Sequence, residues 1–136
     1  MYLLDTNILS EIIRKRPNQY VISQLRSNAS NELFTSCICI MELSFGSRFR
    51  EDFIEFWGKL EKRIISKVNV LPISEKEAIM AGDILAEMKK TGKIIGIEDV
   101  LIAASALANQ CRMVTANVRH FSRIKGLIVE NWREPM

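Results

Sequence analysis

Tyr2-Leu3-Leu4-Asp5-Thr6-Asn7-Ile8-Leu9 opens the chain with a short apolar run, a carboxylate and then apolar residues at a helical spacing. It reads as a strand from Tyr2 to Asp5 that feeds a helix running from about Thr6 to Arg16, stopped by Pro17. The same change of period recurs further along. Leu33 to Ser36 reads as a strand leading into a helix through Met41, Glu42 and Leu43. Val68 to Ile73 reads as a strand before a helix opened by Ser74, and Arg112 to Thr115 as one before a short helix or turn over 117–124. Leu127 to Glu130 makes a last strand. Short apolar runs alternating with amphipathic helices predict an α/β fold with a mostly parallel central sheet.

The helical segments carry their own punctuation. Asn18 to Ser27 reads as a short helix with Tyr20, Val21 and Leu25 on one side. Glu51 to Lys67 repeats apolar residues at Phe53, Trp57, Leu60 and Ile64, a helical spacing. Ser74 with Glu77 three residues later forms a capping box, and the helix that follows presents Ala78, Ala81, Leu85 and Met88 before ending at Lys89, Lys90 and Gly92. After Gly96-Ile97-Glu98-Asp99, the run Val100 to Ala108 is apolar on nearly every side, as expected of a buried central helix. No repeat, low-complexity tract or linker interrupts the pattern, so residues 1–136 are expected to form one domain.

Composition bounds the function. A chain of 136 residues with 48% apolar content can bury a real core, and 26% charged residues is ordinary for a folded domain. The net charge of +3 is compatible with a polyanionic partner without requiring one. Three cysteines (Cys37, Cys39 and Cys111) point to reduced thiols, and His120, the only histidine, leaves a zinc site short of ligands. No basic region followed by a long apolar run opens the chain, and Val100 to Ala108 is too short to span a bilayer. A soluble, cytoplasmic protein with no membrane partner is expected.

Four polar positions stand apart, and each has a structural explanation. Asp5 could cap the helix that follows it. Glu42 could be a solvated surface carboxylate, Asp99 could complement a helix dipole, and Asn117 could cap a short helix. Together they carry more weight. Asp5, Asp99 and Asn117 fall at strand-to-helix junctions or helix starts, and Glu42 lies within the helix after the second strand. In an open parallel sheet such positions face the crevice beyond the carboxyl ends of the strands. Three carboxylates gathered there raise one another's pKa values unless a cation lies between them. Carboxylate-lined sites suit Mg²⁺ or Mn²⁺, and the chemistry such a site serves is phosphodiester hydrolysis.

At these residues the sequence resembles the PIN-domain nucleases, and within them the VapC-type toxins of bacterial toxin–antitoxin pairs. Leu3-Leu4-Asp5-Thr6-Asn7 looks like the family's opening strand and first acid, and Met41-Glu42-Leu43 with Gly46 like its second motif. Gly96 to Ala104 is similar to its third motif. Thr115-Ala116-Asn117, with Phe121 and Gly126-Leu127, resembles its closing motif, and Glu130-Asn131-Trp132 resembles its tail. The resemblance implies a three-layer α/β/α sandwich and a metal-dependent endoribonuclease that cuts structured RNA such as tRNA. It further implies Asp5, Glu42 and Asp99 as metal-binding acids, Asn117 as a fourth polar position that many relatives fill with aspartate, and Thr6, Asn7 and Thr115 in support. A homodimer and inhibition by a cognate antitoxin are implied as well. Glu98 is either a solvated neighbour or an extra ligand.

RNA cleavage also needs cations outside the acidic pocket. Arg14, Arg48, Arg119 and Arg123 are the candidates for RNA contact, with Lys15, Arg16, Arg50 and Lys125 nearby in sequence. Phe53, Phe56 and Trp57 read as core or partner interface rather than a base-stacking platform, and Trp132 as packing. The alternative function is a catalytically degenerate PIN-like domain that binds protein or RNA. A phosphoacceptor domain lacks its adjacent acid pair here, and Gly92-Lys93-Ile94-Ile95-Gly96 matches no phosphate-binding loop.

Overall fold

A computed structural model describes residues 1–134. Five strands form the sheet: β1 (Tyr2–Leu4), β2 (Leu33–Ser36), β3 (Asn69–Leu71), β4 (Arg112–Val114) and β5 (Val129–Glu130). All pair in parallel, in the order β3-β2-β1-β4-β5. The chain therefore steps outward from β1 through β2 to β3, then returns to the other side of β1 for β4 and β5. The reversal lies between β1 and β4, where an open parallel sheet opens its ligand crevice.

Seven α-helices flank this sheet among the described residues, giving the three-layer α/β/α arrangement: α1 (Thr6–Leu9), α2 (Gln19–Ser27), α3 (Cys37–Ser47), α4 (Phe53–Arg63), α5 (Glu75–Thr91), α6 (Ile97–Ala108) and α7 (Val118–Phe121). Helix α6 is the buried one, with Val100 and the run Ile102 to Ala106 inside the core, and it packs along α5. Helix α3 turns Cys39, Leu43 and Ser47 inward, a spacing of four that leaves Met41 and Phe45 exposed, as is Phe49 just beyond its end.

The capping box forms as read: the Ser74 N–H donates to Glu77 Oε1 at 2.9 Å and the Ser74 hydroxyl bonds the same oxygen. Helix α5 ends at Gly92, whose φ of 73° is a left-handed conformation that disfavours any side chain. Four expectations need correction. The segment from Thr6 is not one helix: α1 gives way to a 3₁₀ turn over Ser10–Ile13, with the Ser10 hydroxyl donating to Thr6 O at 2.9 Å. The segment from Glu51 shortens to α4 and a separate 3₁₀ turn over Ile65–Lys67, and the outer strands β3 and β5 are shorter than their apolar runs. The inward face of α5 is Glu77, Ala81, Ile84 and Met88, with Ala78 and Leu85 turned out. Apolar periodicity alone cannot distinguish that face from its neighbour, because a buried Glu77 looks like a surface residue until Asn109, just past the end of α6, donates to it at 3.2 Å.

The tail closes the fold over β1. Trp132 is 2% exposed and meets Tyr2 edge-on at 5.1 Å, while Arg133 reaches the buried Glu11 at 3.2 Å. Replacing a wholly buried residue of α6 tests how far the site depends on this core. Ile102→Ala should lower unfolding free energy by about 2–5 kcal/mol in urea melts, and a loss below 1 kcal/mol would mean that α6 is not the packing centre described.

Candidate functional site

Register builds the site. Leu4 pairs with Val114, so the next residues, Asp5 and Thr115, lie side by side beyond the ends of β1 and β4. The Asp5 N–H donates to Val114 O at 2.9 Å, and the Thr115 hydroxyl donates to Asp5 Oδ2 at 2.7 Å. The other oxygen, Oδ1, accepts the Thr6 N–H at 2.8 Å, so Asp5 also caps α1. The capping role and the site role thus coexist in one residue. Asn7 braces the same corner, its Nδ2 3.4 Å from Asp5 Oδ2 and its Oδ1 accepting the Ala116 N–H at 3.1 Å.

Glu42 arrives from α3, because β2 is the other neighbour of β1. The Thr6 hydroxyl donates to its Oε1 at 2.8 Å. Cys39, one turn earlier on α3, points its thiol at Asp5 Oδ1 from 3.9 Å. One ligand atom each of Asp5, Cys39 and Glu42 lies within 4.8 Å of the others. Burial, reinforced by the charge of Asp5, pushes the Cys39 thiol up to about 12, so in the metal-free fold it stays protonated and is a neutral neighbour of the carboxylates. The hard ligands in this group are the two carboxylates.

Asp99 does not belong to that tight group. It lies in the first turn of α6, its Oδ2 3.3 Å from His120 Nδ1, which in turn is 2.9 Å from Asn117 Nδ2. One ring nitrogen cannot accept from the amide and donate to the carboxylate at once, so the His120 tautomer decides which partner it serves. The Asn117 N–H donates to the Thr115 hydroxyl at 2.9 Å, and its side chain does not cap α7. A continuous polar path therefore links Asp99, His120, Asn117, Thr115 and Asp5. His120 was not foreseen in this site. The available signal was its spacing of three from Asn117 on a short helix.

Asp5 is the electrostatic focus. Burial raises its carboxyl from 3.8 to about 6, opposed by the Thr115 hydroxyl and the Thr6 N–H and reinforced by the charges of Asp99 and Glu42. The site carries a negative charge it does not neutralise by itself, which is the condition for binding a divalent cation. The remaining expectations divide. Glu98 is exposed and enters none of these hydrogen bonds, in keeping with the solvated reading. Arg14 lines the same groove as Glu42, while Arg123 lines a separate hollow with Asp83, Glu87 and Lys93. Arg48 lies over the Phe53 ring at 4.1 Å, and Arg119 is exposed on α7.

The PIN-domain family model matches residues 2–127. The chain belongs to the PIN-domain family. Within it, the chain is 33% identical to the ribonuclease VapC2 of Rickettsia felis, over 97% of this chain and 98% of that one. It is 31% identical to the tRNA(fMet)-specific endonuclease VapC of Salmonella typhimurium, over 96% and 97% of the two chains. The crystal structure of VapBC2 from Rickettsia felis bound to a DNA fragment from their promoter superposes with a TM-score of 0.87 at 33% identity, covering 96% of this PIN domain and 98% of that chain. These relatives place the chain in the VapC branch.

The raised Asp5 carboxyl sets a sign for stability. The folded chain holds this proton more tightly than the unfolded one. Its contribution is therefore most favourable below about pH 3.8, declines as the pH rises, and reaches its full penalty above about 6. The ionised group costs the metal-free fold on the order of 3 kcal/mol. In EDTA, the melting temperature of Asp5→Asn minus that of the unaltered protein should grow between pH 4 and 7. A gap that stays flat across that range would mean Asp5 titrates normally.

Proposed function

We propose that this PIN domain is a metal-dependent endoribonuclease, the toxin of a toxin–antitoxin pair, hydrolysing phosphodiester bonds in structured RNA such as tRNA. The observation that carries the reading is the buried Asp5 carboxyl, raised to about 6 beside Glu42 and under the charge of Asp99, at the point where the strand order reverses. Asp5, Glu42 and Asp99 would hold Mg²⁺ or Mn²⁺, with Asn117 as the fourth polar position. When bound, the ion would orient the scissile phosphate, lower the pKa of the attacking water and offset charge on the leaving oxygen.

The chain's own residues do the rest. Thr115 and the Thr6 N–H fix both oxygens of Asp5, and the Thr6 hydroxyl aims Glu42. In the tautomer that places the proton on Nδ1, His120 would donate to the Asp99 carboxylate and orient it. The asparagine at 117 contributes an oxygen but no charge, leaving the site less negative than four acids would make it. A cognate antitoxin and a homodimer complete the reading through the VapC relationship. A single unit over 1–136 and a cytoplasmic location belong to it too, in keeping with a described chain that has no helix long and apolar enough to cross a membrane.

Purified protein incubated with total transfer RNA and Mg²⁺ or Mn²⁺ should give discrete fragments that disappear in EDTA and in Asp5→Ala. Thr115→Val, which removes only the hydroxyl holding Asp5, should lower cleavage by about 10–100-fold and weaken metal binding in parallel. Cleavage that survives Asp5→Ala would put the chemistry elsewhere. RNA that binds but is never cut under any metal would favour the non-catalytic binding module.

A further inference from the structure

A groove of about 740 Å³ leads away from Glu42, walled by the turn after α1, by α3 and by α4. Five cationic side chains line it (Arg14, Lys15, Arg50, Lys59 and Arg63) against two carboxylates, Glu42 and Asp52. That is a local excess, because the whole chain has 19 basic and 16 acidic residues. Two of the cations are already engaged: Arg14 with Glu11 at 2.8 Å, and Arg50 with both oxygens of Asp52 at 2.8 and 3.1 Å. Lys15, Lys59 and Arg63 are exposed and make no ion pair among the described residues.

We infer that this groove carries the RNA backbone towards Glu42, with Lys15, Lys59 and Arg63 on successive phosphates and the Arg50 guanidinium as a platform for a base. The inference rests on the ribonuclease reading. Lys59 and Arg63 are four residues apart on α4, with Phe56 three residues before Lys59, so all three share one helical face. The Arg50 guanidinium carbon lies 4.0 Å from the centroid of the Phe56 ring, both oxygens of Asp52 hold the group there, and the side chain remains half exposed. A guanidinium fixed in this way offers its free face for stacking with an unpaired base. Phe56 is therefore part of a groove wall, not only the core or interface residue its spacing suggested. An acidic protein segment would also meet the cations, but it has no use for the stacked plane and would run its charge into Glu42. Phosphates differ in that one of them is delivered to the acids as substrate.

Affinity for total transfer RNA, measured in EDTA so that nothing is cut, tests the groove apart from the chemistry. The Lys59→Gln/Arg63→Gln double variant should bind about tenfold more weakly at ~0.15 M salt. It should also flatten the slope of log affinity against log salt by between about 1 and 2, as the loss of two phosphate contacts requires. Lys89→Gln/Lys90→Gln, which removes the same charge from the end of α5, should match the unaltered protein. In Mg²⁺ the groove variant should raise KM and leave kcat within about twofold. Unchanged affinity and slope, with Asp5→Ala still abolishing cleavage, would overturn the groove and leave the nuclease standing. Loss of RNA binding in the double variant of a protein that never cuts RNA would do the reverse. A protein that ignores RNA but binds poly-glutamate through Lys59 and Arg63, or that binds neither, would also overturn the inference.

Discussion

The hydrogen bond from the Thr115 hydroxyl to Asp5 ties together everything else in this molecule. A carboxylate at the end of the central strand can be buried only if donors meet it there. The parallel pairing of β1 with β4 supplies one donor, the first turn of α1 supplies another, and the side chain of Asn7 adds a weaker third. With these in place the charge is tolerated but not neutralised. The sheet order follows the same logic: β1 is central, so that Glu42 of α3 on one side, and Asp99 of α6 with Asn117 of the turn after β4 on the other, come towards its end.

Burial and function pull in opposite directions here. Desolvation dominates the behaviour of Asp5 and outweighs its hydrogen bonds, so the metal-free site is held together against its own electrostatics. The opposing contribution comes from the apolar mass beneath it: the ends of β1 and β4 and the middle of α6, Val100 and Ile102 to Ala106, are excluded from water. The site's acids are graded in burial as well. Asp5 is buried, whereas Glu42 and Asp99 remain partly exposed, open to an ion and to a phosphate approaching from solvent. Asp99 lies outside the tight Asp5–Cys39–Glu42 group, within 3.3 Å of His120 Nδ1.

The family relationship and the geometry support each other at different levels. Relatives with about a third of residues identical along nearly the whole chain establish the fold and branch. The local network explains how this particular chain orients its acids, using a histidine and an asparagine together with a neutral thiol beside Asp5. The cationic groove adds a feature whose cations come from the turn after α1, from α4 and from the loop before it, segments that carry none of the four motifs.

The sequence by itself determined the alternation of strands and helices, the capping box at Ser74, the stop at Gly92, the buried character of α6 and the resemblance to the PIN-domain family. Each of these is a local property, set by side-chain periodicity, by a cap within four residues or by a motif read in order. Tertiary structure decided the break of the first helix at Ser10, the inward turn of Glu77 on α5, and the entry of His120 and Cys39 into the site. It also decided that Arg14 shares a groove with Glu42 while Arg123 does not. Those outcomes depend on which strand ends lie side by side and which helix faces meet. A one-dimensional pattern does not encode such contacts, because residue 42 comes near residue 5 only when β2 pairs with β1, and residues 115 and 120 join only when β4 crosses back to the other side of β1.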